Sequence, residues 1–168
     1  MFLFSGFLLS TCKKNSHPAP GPPVVSFMDL NIQTTTLDYF HFKFYDSDGD
    51  IGLNPYDTSA PWASSTPYFY DFYMRFHPYD EVRKVFLDTF IIDNTLPPGH
   101  DTDFGIVSYR IPFVDNSKSL DGSLTGEVFV KLLGYGWPGV KHFRYDFYIY
   151  DRANNKSNVV TTPDFIVP

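Results

Sequence analysis

Hydrophobic residues occupy every second position in two stretches of the chain. Phe40, Phe42 and Phe44 alternate with more polar residues in the first stretch, and a second alternation runs over residues 143–149. This period of two places the apolar side chains on one face of a β-strand. With clusters of Gly, Pro, Asn and Asp as breaks, the pattern predicts strands at about 24–33, 38–46, 68–77, 82–92, 104–114, 124–134, 142–151 and 158–167.

The predicted strands are short and regularly spaced, and no segment of helix length carries a helical period. Phe, Tyr and Trp make up 19% of the residues, and these aromatic types suit a pleated, half-buried surface. We therefore predict an all-β domain, an immunoglobulin-like antiparallel β-sandwich of seven or eight strands. The sequence contains a single cysteine, so the antibody-type disulfide is excluded.

The first twelve residues form an apolar run that ends in Leu9-Ser10-Thr11-Cys12. This pattern resembles a bacterial lipoprotein signal peptide, in which the cysteine becomes the lipid attachment point and the first residue of the mature chain. The run is shorter than the about 20 apolar residues that span a bilayer. A lipid anchor at Cys12 is therefore expected, and the alternative is a frayed apolar terminus with an incidental thiol.

The chain divides into three parts on this interpretation. Residues 1–11 are the signal peptide, residues 12–23 are the lipidated Cys12 and a Pro-rich tether, and residues 24–168 are one β-sandwich domain. The net charge of −6 argues against nucleic acid as a partner. Once Cys12 carries a lipid, no thiol remains for a disulfide or a zinc-thiolate site.

The loop after the second predicted strand is the one segment with recognisable site chemistry. Asp46, Asp48 and Asp50 match positions one, three and five of an EF-hand calcium loop, and Ca²⁺ prefers such carboxylate oxygens. Later ligand positions of that loop fall on Gly52, Asn54 and Asp57. The sixth position holds Ile51 where the EF-hand needs Gly, and the flanks are predicted strands. The loop is either a Ca²⁺ site or a solvated turn.

A turn near the end of the chain, Asp151-Arg152-Ala153-Asn154-Asn155-Lys156-Ser157, looks like the hairpin turn between the last two strands of many bacterial immunoglobulin-like domains. Asn154 stands where Gly is usual, and Asn tolerates the left-handed backbone conformation that such a turn requires. We expect Asp151 to brace this turn.

Residues 42–52, Phe-x-Phe-x-Asp-x-Asp-Gly-Asp-Ile-Gly, are part of a broader resemblance. Together with the signal and the closing turn, they are similar to small uncharacterised lipoproteins of Bacteroidetes-type bacteria. The resemblance implies a lipid-anchored location in the cell envelope and a fold type, but no activity. In those bacteria acidic residues after the lipidated cysteine mark delivery to the cell surface. Lys13-Lys14-Asn15 stand there instead, which favours the periplasmic face of the outer membrane.

Three aromatic residues fall in predicted loops and are candidate ligand-binding residues: Trp62, Tyr135 and Trp137. Exposed rings of this kind can stack on a sugar or anchor a partner protein. The alternative is that the tryptophans fold back over the open ends of the sandwich.

No catalytic motif is recognisable in the sequence. The first hypothesis is therefore a non-enzymatic lipoprotein that binds an envelope protein or serves as a structural module, braced by Ca²⁺. The second is a carbohydrate-binding lipoprotein that uses the loop aromatics to hold a glycan. A third is a hydrolase with an unrecognised motif.

Overall fold

The structure, a computed structural model, describes residues 21–32, 37–87, 106–114, 122–133 and 140–167. The predicted signal peptide, Cys12 and most of the tether lie outside these residues, as do Tyr135 and Trp137. No helix in the described part of the chain is long and apolar enough to cross a membrane.

The described residues form an all-β fold, as predicted. The strands are β1 (Val24–Asn31), β2 (Leu37–Asp46), β3 (Phe72–Asp80), β4 (Val85–Phe86), β5 (Ile106–Tyr109), β6 (Leu124–Leu133), β7 (His142–Ile149), β8 (Val160–Thr161) and β9 (Phe165–Ile166). They make two antiparallel sheets. One sheet has the order β1-β2-β6, and the other has the order β4-β3-β7-β8, with β5 paired to β3 and β9 to β7.

The last predicted strand is divided into two in the structure. Thr162-Pro163-Asp164 separates β8 from β9, because Pro163 has no N–H to donate to the ladder. The Thr162 hydroxyl accepts a hydrogen bond from the Tyr145 backbone N–H at 3.0 Å, and the Thr162 N–H donates to the Tyr145 carbonyl at 2.8 Å. Both short strands therefore stay on the same edge of β7.

The core lies between the two sheets and follows the predicted alternation. Phe40, Phe42 and Phe44 are buried on the inner face of β2, and the buried residues of β7 are Phe143, Tyr145, Phe147 and Ile149. The Phe40 and Phe147 rings meet across the sheets with centroids 4.9 Å apart, and the Phe42 ring stacks on Phe72 of β3 at 5.3 Å. The arrangement is that of a β-sandwich whose facing layers are largely aromatic.

Candidate metal centre

The acidic loop starts where β2 ends, and two glycines turn it back toward the core. Gly49 and Gly52 have φ angles of 69° and 88°, in the left-handed region that suits glycine. At Gly52 a Cβ would also overlap the carbonyl oxygen of Pro112. Ile51, at the position where an EF-hand needs Gly, is fully buried and fixes the loop in the core. The loop is thus held against the end of the sandwich.

Asp46 is the most buried of the acidic side chains in this loop, with 0% of its surface exposed. Its Oδ2 accepts a hydrogen bond from the Asp50 backbone N–H at 2.8 Å. Its Oδ1 is buried and has no hydrogen-bond partner among the described residues, and the same holds for Asp50 Oδ1. A buried carboxylate oxygen without a partner is costly, so these two atoms need a ligand or a proton.

A fourth carboxylate reaches the loop from the other end of the folded chain. Asp151 follows β7, and each of Asp46, Asp48, Asp50 and Asp151 offers a carboxylate oxygen, all within 4.8 Å of one another. The Arg152 backbone N–H donates to the Asp50 carbonyl at 3.1 Å, which joins the two segments. This four-aspartate cluster contains every residue of the predicted metal set, together with one that the sequence did not single out as a ligand.

Asp151 also performs the predicted structural role. Its Oδ1 accepts a hydrogen bond from the Asn155 N–H at 2.7 Å, and its Oδ2 accepts one from Asn155 Nδ2 at 2.9 Å. Asn154 has a φ of 65°, the left-handed conformation expected for this turn. The turn fixes the Asp151 carboxylate beside the acidic loop.

The electrostatics of the cluster favour a cation or bound protons. Burial, with a further contribution from Asp48, Asp50 and Asp151, raises the pKa of Asp46 to about 7. Burial and the neighbouring carboxylates likewise raise the pKa of Asp50 to about 6. A cation bound among these groups would compensate their negative charges and so favour the ionised carboxylates. The four-aspartate cluster can therefore hold a metal ion, and its all-oxygen donor set suits a hard cation.

Asp57 does not belong to the cluster, although it falls at the twelfth position of the EF-hand pattern. Its Oδ2 accepts hydrogen bonds from Arg152 Nη1 at 2.6 Å and from the Asn54 N–H at 2.8 Å. The Arg152 guanidinium holds the pKa of Asp57 below its ordinary value. The EF-hand spacing therefore fails after Asp50, because the chain turns into the core at Ile51.

The predicted ligand-binding residue Trp62 lies close to this ion pair. The Arg152 guanidinium sits 4.8 Å from the centroid of the Trp62 ring and 5.6 Å from that of Phe113. Trp62 is partly buried, and its ring nitrogen Nε1 is buried. The other two predicted ligand-binding residues, Tyr135 and Trp137, lie outside the described residues.

Comparison of the chain with protein-family models, with curated proteins and with solved structures finds no match.

A second buried carboxyl group, Asp71, lies apart from the four-aspartate cluster. Its Oδ1 accepts a hydrogen bond from the Ile111 N–H at 2.6 Å, and its Oδ2 is buried without a hydrogen-bond partner in the described residues. Burial raises the pKa of Asp71 to about 7, against an ordinary value near 4. At neutral pH this carboxyl group is therefore only partly ionised in the folded protein.

We expect Asp71→Asn to remove part of the pH dependence of stability. Between about pH 4 and pH 7 the folded protein retains a proton on Asp71 that the unfolded chain has lost. Its contribution to stability therefore falls as pH rises, by at most about 1.4 kcal/mol per pH unit. Urea unfolding of both proteins at pH 5 and pH 7.5, in chelator, measures the difference. An identical pH dependence in the two proteins would refute this assignment.

Proposed function

We propose that the protein is a lipid-anchored lipoprotein of the bacterial cell envelope whose immunoglobulin-like β-sandwich binds one Ca²⁺ and serves as a non-enzymatic binding or structural module. The observation that supports the metal most strongly is the buried Asp46 Oδ1, which has no hydrogen-bond partner in the described residues and belongs to a cluster of four carboxylates. The ion would satisfy that oxygen.

The donor set favours Ca²⁺ over Mg²⁺. Ca²⁺ accepts about six to eight oxygen ligands at roughly 2.3–2.6 Å in flexible geometry, whereas Mg²⁺ demands near-octahedral geometry and usually keeps several waters. Four carboxylates from two separate segments of the chain supply several oxygen donors to one ion. This combination suits the larger ion.

A bracing role follows from the elements that carry the carboxylates. Asp46, Asp48 and Asp50 end or follow β2 of the three-stranded sheet, and Asp151 follows β7 of the other sheet. An ion shared by the two segments would tie one sheet to the other. The carboxylates of Asp46 and Asp151 also bond to the backbone of their own loops, as structural ligands commonly do.

Calcium titration of the chelator-stripped protein by calorimetry tests this proposal. We expect one ion to bind per chain, and we expect the heat to disappear in an Asp48→Ala, Asp50→Ala double variant. Asp164→Asn is the matched control, because Asp164 is exposed and outside the cluster. Absence of binding to the wild-type protein, or equal binding to the double variant, would overturn the calcium site.

Lipidation at Cys12 is tested separately by cell fractionation. We expect the wild-type protein in the membrane fraction and Cys12→Ser in the soluble fraction, since the thiol would carry the lipid. On this proposal the Pro-rich tether spaces the domain from the periplasmic face of the outer membrane, where an envelope protein or a glycan is the partner. Unchanged membrane association of Cys12→Ser would contradict the anchor.

A further inference from the structure

The outer face of the six-stranded sheet carries a cluster of tyrosines. Tyr73 of β3 and Tyr148 of β7 pair across the two strands, and their rings stack with centroids 5.4 Å apart and planes at 17°. Tyr150 meets both rings edge-on, at 6.1 and 5.7 Å. Tyrosines of this kind combine apolar rings with hydroxyls and are common in binding surfaces.

An open cleft of about 230 Å³ adjoins the stacked pair. It is lined by side chains of β3 and β7 and of the segment between β7 and β8, chiefly Tyr73, Arg75, Asp146, Tyr148, Lys156 and Val159. Drug-sized ligands occupy pockets of about 300–1,000 Å³, so this cleft suits something smaller, such as one sugar ring.

Two cationic side chains, Arg75 and Lys156, and one carboxylate, Asp146, line the cleft, and Asp146 lies opposite Arg75 in the β3–β7 register. Asp146 is already engaged, because its Oδ1 accepts from the Thr161 hydroxyl at 2.6 Å and its Oδ2 lies 3.3 Å from His77 Nε2. Within the described residues neither Arg75 nor Lys156 forms an ion pair, and Lys156 Nζ lies 3.7 Å from the centroid of the Tyr148 ring. The lining therefore favours a ligand that carries negative charge.

The tyrosine hydroxyls add neutral hydrogen-bonding groups. Burial raises the pKa of Tyr73 and that of Tyr148, so both remain protonated at neutral pH. The Tyr73 hydroxyl donates to the Pro67 carbonyl at 2.6 Å and retains acceptor capacity. The Tyr148 hydroxyl has no hydrogen bond within the described residues, which leaves it to a ligand.

We propose that this cleft binds an acidic saccharide, through one sugar ring that bears a carboxylate. Arg75 and Lys156 would hold the carboxylate, while the Tyr148 hydroxyl and the edges of the tyrosine rings would contact the sugar hydroxyls and ring. An inorganic anion would bind the two cationic groups but would not contact the tyrosine rings. Trp62 does not line this cleft, and the proposed contacts do not include the metal.

Calorimetric titration of the purified full chain with trigalacturonate, uncharged galactotriose and inorganic phosphate tests the proposal. We expect trigalacturonate to bind at least about tenfold more tightly than either of the other two. Arg75→Gln, Lys156→Gln and Tyr148→Phe should each weaken trigalacturonate binding, Arg75→Gln and Lys156→Gln by about tenfold. Lys131→Gln, an exposed position on the other sheet, is the control and should change nothing.

Three results would overturn the assignment. If phosphate binds as tightly as trigalacturonate, the cleft is a simple anion site. If galactotriose binds as tightly as trigalacturonate, the cationic groups do not contribute to binding. Absence of trigalacturonate binding would refute the site outright. Circular dichroism establishes that each variant is folded, and two independent cation variants keep the result informative if one of them is not. None of these outcomes bears on the calcium titration, so the two proposals fail independently.

Discussion

Phe147→Ala is expected to lower the free energy of unfolding by about 3–5 kcal/mol, the usual cost of removing a large buried aromatic side chain. Phe147 is fully buried at the centre of the inner face of β7. Its ring contacts Phe40 and Phe42 of the opposite sheet, at centroid distances of 4.9 and 5.3 Å. The truncation would leave a cavity between the sheets. Urea unfolding followed by far-UV circular dichroism measures the loss.

Tyr56→Ala is the matched control for this experiment. Tyr56 is also a large aromatic residue, but 92% of it is exposed, so its truncation is expected to change the free energy of unfolding by no more than about 0.5 kcal/mol. Similar losses for the two variants would mean that the sheets are not packed through Phe147.

Calcium is expected to raise the unfolding temperature by about 5–10 °C when its concentration is about 100 times its dissociation constant. An ion that binds only the folded state adds about 2.7 kcal/mol under that condition. For a chain of this length each kcal/mol corresponds to roughly 2–4 °C. Thermal unfolding of the wild-type protein in calcium and in excess chelator measures the shift.

Asp151→Asn is the most informative variant for the calcium shift. The amide oxygen can still accept the Asn155 N–H, while the hydrogen bond from Asn155 Nδ2 and the carboxylate from the second sheet are lost. We expect the calcium shift to be largely lost in Asp151→Asn and kept in Asp164→Asn. A full shift in Asp151→Asn would contradict the four-ligand site.

In chelator, Asp46→Asn is expected to unfold at no lower temperature than wild type, because it removes a buried charge.

Much of the fold could be predicted from the sequence, because strands have a period that the side chains display directly. The alternation at Phe40, Phe42 and Phe44 correctly identified the inner face of β2, and the alternation over residues 143–149 identified that of β7. The residues at which the strands begin and end are harder to predict from the sequence. The strand predicted at 82–92 begins only at Val85, because residues 81–84 form a turn in which Lys84 has a φ of 59°.

The site could be predicted only in part, because local spacing reveals neighbours along the chain and not across the fold. Asp46, Asp48 and Asp50 were visible as a motif within one loop. The local sequence predicts only that Asp151 braces its own turn, which it does, and nothing in that sequence indicates the acidic loop beside it. The pairing of β7 with β3 and the packing of the two sheets bring it there. Asp57 fitted the spacing but pairs with Arg152.

The most direct test of the calcium-braced sandwich is long-wavelength anomalous diffraction from crystals of the protein grown with CaCl₂. The expected result is one anomalous peak among Asp46, Asp48, Asp50 and Asp151, with an oxygen of each at about 2.3–2.6 Å from the ion. No peak at this position, or an ion that Asp151 does not contact, would contradict the proposed link between the two sheets.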